Sequence, residues 1–220
     1  MLENLQFELE RLPHAYPNEP GAELELWGRL TVRVIGAAGP RLLTETEWDL
    51  SEFAAWFSEH QRSLCSEQIV GTDGKRLSRP GETLAETLLR AQGLNFPDDE
   101  SNYSWLNYLF QFRTRHVLTF ALRGARVEPL VIGCNGGAGE ISSLNDSSVR
   151  HRFYMHKFLE DVQKQTRALV HDWQGQRGTN ARMRAQALLR ELNATYRNCC
   201  NELTSPLANG HRNPNESEDD

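Results

Sequence analysis

The chain has 220 residues and a mass of 25.1 kDa, and its 39% hydrophobic and 25% charged content is typical of one globular domain rather than a disordered or fibrous chain. It contains no run of about 18–20 apolar residues, and its first residues lack the features of a signal peptide, so we expect a cytoplasmic protein with no membrane partner. The net charge of -6 is uneven, because residues 1–100 carry 9 basic and 18 acidic side chains and residues 101–204 carry 14 basic and 8 acidic ones.

The N-terminal part of the chain is predicted to be β-structure, because apolar and polar residues alternate along it. The alternation predicts strands over residues 5–12 and 23–35, with a proline-rich loop between them. A turn over residues 36–40 then leads into a short strand over residues 41–45. We expect these strands to pair in antiparallel fashion.

Three helices are predicted in the middle of the chain. The first follows Asp49, a suitable N-cap residue with Glu52 three positions later, as in a capping box. Thr83 and Glu86 give the same signature for the second helix. Apolar residues at helical spacing predict a third helix near residues 103–113.

A second group of strands is predicted after these helices, over residues 116–122, 130–132 and 140–142. The Asn-Gly-Gly sequence at residues 135–137 lies between apolar runs and indicates a hairpin turn, since these residues tolerate positive φ. The segment lacks the lysine and hydroxyl residue of a phosphate-binding loop. The glycines are therefore interpreted as structural.

Two long helices, over residues 150–173 and 180–198, are predicted to form an antiparallel helical hairpin at about residues 149–200. Residues 205–220 are polar and acidic, and we expect a disordered tail there. The fold class is predicted to be α+β over one domain, residues 1–204. In it an antiparallel sheet joins the N-terminal and middle strands, helices pack on that sheet, and the helical hairpin comes last.

Arg113, Arg115 and His116 form a cationic cluster between a predicted helix and a predicted strand. One interpretation is an anion-binding or partner-binding site in which His116 acts as acid, base or donor, with Glu140 within reach across the sheet. The alternative is a helix C-terminus, where positive side chains offset the helix dipole and cap its last carbonyls.

No cofactor and no metal site are expected from the sequence. The metalloprotease motif His-Glu-x-x-His and the nucleophile motif Gly-x-Ser-x-Gly do not occur. His156 and Glu160 are spaced to share a helix face, but two ligands do not make a site. The adjacent Cys199 and Cys200 are interpreted as thiols at a helix end, with a redox or metal-binding pair as the alternative.

The last predicted helix carries Arg182, Arg190 and Arg197 within about 80° of arc. Such a face can follow a phosphate backbone, which makes nucleic acid a possible partner. The alternative is a solvated face opposite the apolar one, and the net acidic charge of the chain favours this alternative.

Two stretches carry a resemblance to known proteins. One is WDLSEFAAWF at residues 48–57, and the other runs from RHVL at residues 115–118 to GEIS at residues 139–142. Together they resemble an uncharacterised bacterial region found ahead of metallopeptidases of the phage-repressor-cleaving type, and also small immunity-type proteins of bacterial conflict systems. The resemblance covers about residues 24–143. It implies no peptidase activity, because the metal-binding motif is missing.

We therefore expect a non-enzymatic protein-interaction module in the cytoplasm, such as an immunity or accessory factor of a bacterial defence system. The alternative function is a nucleic-acid-binding regulator that uses the arginine-rich C-terminal helices. A third hypothesis is an enzyme with its site around Arg113, Arg115 and His116. A protein partner is expected, and the sequence leaves the oligomeric state open.

Overall fold

The α+β class is confirmed by a computed structural model, which describes residues 2–176 and 179–204, with side chains over residues 2–174 and 180–194. Each of the two β-regions is followed by helices. The elements in chain order are β1 Asn4–Arg11, β2 Trp27–Gly36, β3 Gly39–Asp49, α1 Leu50–Ser66, α2 Leu84–Gln92, α3 Asp99–His116, β4 Leu130–Asn135, β5 Ala138–Ser143, β6 Arg150–Phe153, α4 Met155–Gln176 and α5 Thr179–Thr204.

The strands form two antiparallel sheets of three strands each, in the orders β1-β2-β3 and β4-β5-β6. This corrects the prediction of one sheet joining the N-terminal and middle strands. Within residues 2–176, the two sheets meet at one isolated bridge between Glu3 and Phe153, where the Glu3 amide donates to the Arg152 carbonyl over 2.8 Å. Within each sheet, every strand pairs with the strand next to it in sequence. Apart from the Glu3–Phe153 bridge, the described strands of one sheet do not pair with those of the other.

Two segments have a different secondary structure from the one that the sequence predicts. Residues 116–122 were expected to form a strand, but α3 continues to His116 and Leu118–Phe120 forms a short 3-10 helix. Val117 and Leu118 are both fully buried, so the alternating pattern does not separate two faces. Residues 150–153 were assigned to a helix, but they pair with β5 as β6.

The helix starts follow the expected capping chemistry with one change. Asp49 caps α1 by accepting from the Ser51 amide over 2.9 Å, but Glu52 does not complete a capping box. The Glu52 carboxylate instead accepts from the Trp48 indole and from a distant backbone amide. The predicted capping box of Thr83 and Glu86 at the start of α2 is confirmed.

The turn between β4 and β5 matches the predicted hairpin. Gly136 and Gly137 occupy it with φ of 60° and 82°, a left-handed conformation that side chains other than glycine adopt with difficulty.

The core consists of two apolar clusters. The larger contains residues of both sheets and of α1, α4 and α5, and the smaller lies around α2 and α3. Helices α4 and α5 pack as the predicted hairpin, with the Gln163 amide donating to the Leu192 carbonyl over 2.9 Å.

The predicted tail over residues 205–220 lies outside the described residues. Among the described helices, none has the combination of length and apolar character that crossing a membrane requires.

Gln61 on α1 is fully buried, and neither polar atom of its side-chain amide has a hydrogen-bond partner among the described residues. We expect Gln61→Met to raise the free energy of unfolding by about 1–2 kcal/mol, because it removes unsatisfied polar atoms and keeps the volume. Urea denaturation followed by circular dichroism measures the change. The matched control Gln186→Met is on an exposed position and is expected to change stability by less than about 0.5 kcal/mol. A destabilised Gln61→Met protein would contradict the expectation.

Candidate interaction surface

The C-terminal ends of α1 and α3 are held together by one carboxylate. Glu67 follows α1 and makes two hydrogen bonds with the Arg115 guanidinium, from Nε over 2.7 Å and from a terminal nitrogen over 2.5 Å. His116 Nε2 lies 3.3 Å from the same carboxylate. The anion that Arg115 and His116 bind in the structure is therefore the chain's own Glu67. We call these three residues the Glu67 clamp.

His116 is fixed on every side. Its ring is fully buried, stacks on Phe112 with 4.0 Å between ring centres, and donates from Nδ1 to the Ile132 carbonyl over 2.8 Å. Gly133 makes room for it, because a Cβ at that position would lie 2.9 Å from His116 Nδ1. Its two ring nitrogens thus face two oxygen atoms, of the Ile132 carbonyl and of the Glu67 carboxylate.

The electrostatics of the clamp favour the ionised carboxylate. Burial raises the pKa of Glu67, but hydrogen bonds from His116 and Arg115 outweigh this effect and hold the pKa at about 2, against an ordinary 4.5. The same contact raises the pKa of Arg115. Glu67 and Arg115 are therefore both ionised throughout the neutral pH range. Arg115 and His116 lie in the last turn of α3, and the anion that they contact there is Glu67 of the same chain.

Above the clamp, α1 and α3 form the walls of an open groove of about 1000 Å³. Its floor includes Trp56, whose indole donates to the Thr114 carbonyl over 2.7 Å and so ties the two walls together. We call this the α1–α3 groove. The lining residues are Glu52, Ala55, Trp56, Glu59, His60, Ser63, Phe110, Gln111, Thr114, Arg115, Thr119, Phe120, Arg123 and Arg184.

The walls of the groove combine aromatic surface with charges of both signs. Phe110 packs edge-on against Phe120, with 5.9 Å between ring centres. Glu59 lies exposed on the α1 wall, and Arg123 lies exposed in the segment that follows α3. Burial lowers the pKa of His60, which keeps this imidazole neutral at physiological pH.

Helix α3 also has apolar residues on its outer side, which the sequence pattern did not identify. Tyr103, Leu106 and Phe110 are 75%, 55% and 51% exposed, whereas the inner face of the helix is buried. Asp99 and Arg113 extend the same line toward the two ends of the helix, so the five residues are spaced 4, 3, 4 and 3 apart. We call this line the α3 ridge.

The remaining candidate residues are dispersed. Arg113 does not join the Glu67 clamp and has no ion pair or side-chain hydrogen bond with any described residue. Arg182 and Arg190 are exposed on α5, where Arg190 Nε donates to the Gln186 carbonyl of its own helix. The side chain of Arg197 lies outside the described residues, as do those of the adjacent cysteines.

Glu140 has a different environment from the one expected. It is fully buried and does not form a hydrogen bond with His116. One carboxylate oxygen accepts from the backbone amide of Leu84 over 2.6 Å, and the other accepts from the side-chain amide of Asn135 over 3.0 Å. Leu84 is the first residue of α2, so the carboxylate neutralises the positive end of that helix. Arg150 Nε lies 3.6 Å from the same carboxylate.

The described part of the chain contains no group of three or more histidine, cysteine, aspartate and glutamate side chains arranged to hold a metal ion. Comparisons with protein-family models, curated proteins and solved structures found no significant match to this chain.

Proposed function

We propose that the protein is a non-enzymatic protein-interaction module whose binding site is the α1–α3 groove. The observation that carries the proposal is the shape and composition of this groove. It is open along two helices and combines aromatic side chains with exposed charges of both signs. Small-molecule sites are enclosed and mostly apolar, whereas grooves between helices accept protein segments.

The occupant that fits best is an amphipathic helix of a partner protein. Its apolar side would pack on Phe110 and Phe120, an acidic side chain would meet Arg123, and a basic side chain would meet Glu59. In this proposal the Glu67 clamp is a support, because its charges are already satisfied internally and it sets the separation of the two walls.

The narrower assignment is an immunity or accessory factor of a bacterial defence system acting in the cytoplasm. It is supported by the sequence resemblance over residues 48–57 and 115–142. The first of these stretches contains the α1 wall residues Ala55 and Trp56, and the second begins at the end of α3. The residues that carry the resemblance thus lie beside the groove that we propose as the binding site.

The proposal is tested by affinity capture from extracts of the source organism with the tagged wild-type chain and two groove variants, Ala55→Arg and Arg123→Glu. We expect one stoichiometric protein with the wild type, unaffected by nuclease, and a loss of about tenfold or more with either variant. Binding is then repeated with the purified partner. The exposed Lys164→Glu on α4 is the matched control and is expected to bind normally.

Two outcomes would contradict the proposal. Capture that is equal in the groove variants and the control would place the binding site elsewhere. Recovery that disappears with nuclease treatment and with Arg190→Glu, and that weakens steeply with salt, would support the nucleic-acid-binding alternative.

A further inference from the structure

We infer that two copies of this chain pair through the α3 ridge, with their α3 helices antiparallel about a two-fold axis near Leu106. The ridge consists of Asp99, Tyr103, Leu106, Phe110 and Arg113 on the outer side of an 18-residue helix. This surface shares Phe110 with the α1–α3 groove, and it is argued from the spacing and charges of the ridge rather than from the function proposed for that groove.

The spacing of the ridge residues is that of a helix-pairing seam. Apolar residues that alternate three and four positions apart remain on one side of a helix and face a second helix over several turns. In α3 this seam extends from Asp99 to Arg113, about 21 Å along the 18-residue helix. Because Tyr103, Leu106 and Phe110 are each more than half exposed, no described residue of the chain covers it.

The pattern of the seam indicates that its partner is a second copy. An aromatic residue lies on each side of Leu106, at Tyr103 and Phe110, and a charge of opposite sign lies seven residues away in each direction, at Asp99 and Arg113. A two-fold axis near Leu106 therefore brings Tyr103 of each copy close to Phe110 of the other, and Asp99 of each copy to Arg113 of the other. Such self-complementarity is what a symmetric interface requires.

The charges select the antiparallel arrangement. Neither Asp99 nor Arg113 has an ion pair with any described residue of its own chain. Asp99 is exposed, and Arg113 is half-buried, with its Nε buried and without a hydrogen-bond partner. Parallel helices would place Asp99 beside Asp99 and Arg113 beside Arg113, whereas antiparallel helices make two opposite-charge pairs. The opposed helix dipoles favour the same arrangement.

The test is sedimentation equilibrium of the full chain at about 1–300 µM, a range suited to a small interface. We expect the average mass of the wild type to rise from 25.1 kDa toward twice that value. Arg113→Asp and Asp99→Arg, tested singly, are each expected to raise the dissociation constant about tenfold or more, because each places like charges together at both ends. The double variant restores both pairs and is expected to dimerise within about threefold of the wild type.

Glu100→Arg is the matched control, since it makes the same charge change next to Asp99 but off the ridge, and dimerisation is expected to be unaffected. Circular dichroism of each variant verifies that it is folded. A wild type that remains monomeric, an Arg113→Asp variant that dimerises normally, or a double variant without rescue would each overturn the inference. The groove variant Ala55→Arg is expected to dimerise like the wild type, so failure of the dimer and failure of partner capture are distinguished.

Discussion

The Glu140→Ala variant is expected to lose about 3–5 kcal/mol of unfolding free energy, the largest effect of any polar substitution considered for this chain. The carboxylate is fully buried, and it accepts hydrogen bonds from the Leu84 amide and from Asn135. Its removal leaves those donors buried without acceptors, and it leaves Arg150 without its counter-charge. Urea denaturation at neutral pH, followed by circular dichroism, measures the loss.

Two variants show whether charge or hydrogen bonding is responsible. Glu140→Gln keeps one acceptor oxygen and is expected to lose about 1–3 kcal/mol, less than alanine. Glu160→Ala changes an exposed glutamate on α4 and is expected to remain within about 0.5 kcal/mol of the wild type. If Glu140→Ala were as stable as Glu160→Ala, the buried carboxylate would not be what anchors the start of α2.

The elements that were predicted correctly depend on local chemistry. The Asp49 cap, the Thr83 capping box and the glycine turn at residues 136–137 each involve residues within four positions of one another. The separation into two sheets depends on which distant segments pair, and alternation alone does not encode that choice. Residues 150–153 illustrate the point, because only their pairing with β5 makes them a strand.

The sequence predicts only part of the candidate site, because the contact that completes it joins residues that are distant in sequence. The sequence predicts a cationic cluster of Arg113, Arg115 and His116. It does not predict the anion that Arg115 and His116 contact, because Glu67 lies 48 positions from Arg115 in sequence. The α3 ridge was hidden by a second pattern in the same helix. Trp105, Leu109 and Phe112 form the buried face, and Tyr103, Leu106 and Phe110 alternate with them along the sequence as a second, exposed line.

The Glu67→Gln variant is expected to be about 2–3 kcal/mol less stable than the wild type at pH 7 and to have a flatter dependence of stability on pH. Glu67 has a pKa of about 2 in the folded chain and an ordinary value of 4.5 when unfolded. Folding therefore favours the ionised form, and this contribution is complete above about pH 4.5 and declines as the pH falls toward 2. Urea denaturation at a series of pH values from 7 to about 2.5 measures both effects.

The comparison between variants isolates this one carboxylate. Glu82, whose pKa is also about 2 because of its hydrogen bond with Arg90, titrates in the same pH range but is present in both proteins, so its contribution cancels. Glu59→Gln changes an exposed glutamate on the same helix and is expected to keep the wild-type pH profile. Parallel profiles for Glu67→Gln and the wild type would show that the clamp does not bind the carboxylate more tightly in its ionised form.

Because the clamp sets the separation of α1 and α3, Glu67→Gln is also expected to weaken partner capture at pH 7, where the variant remains folded.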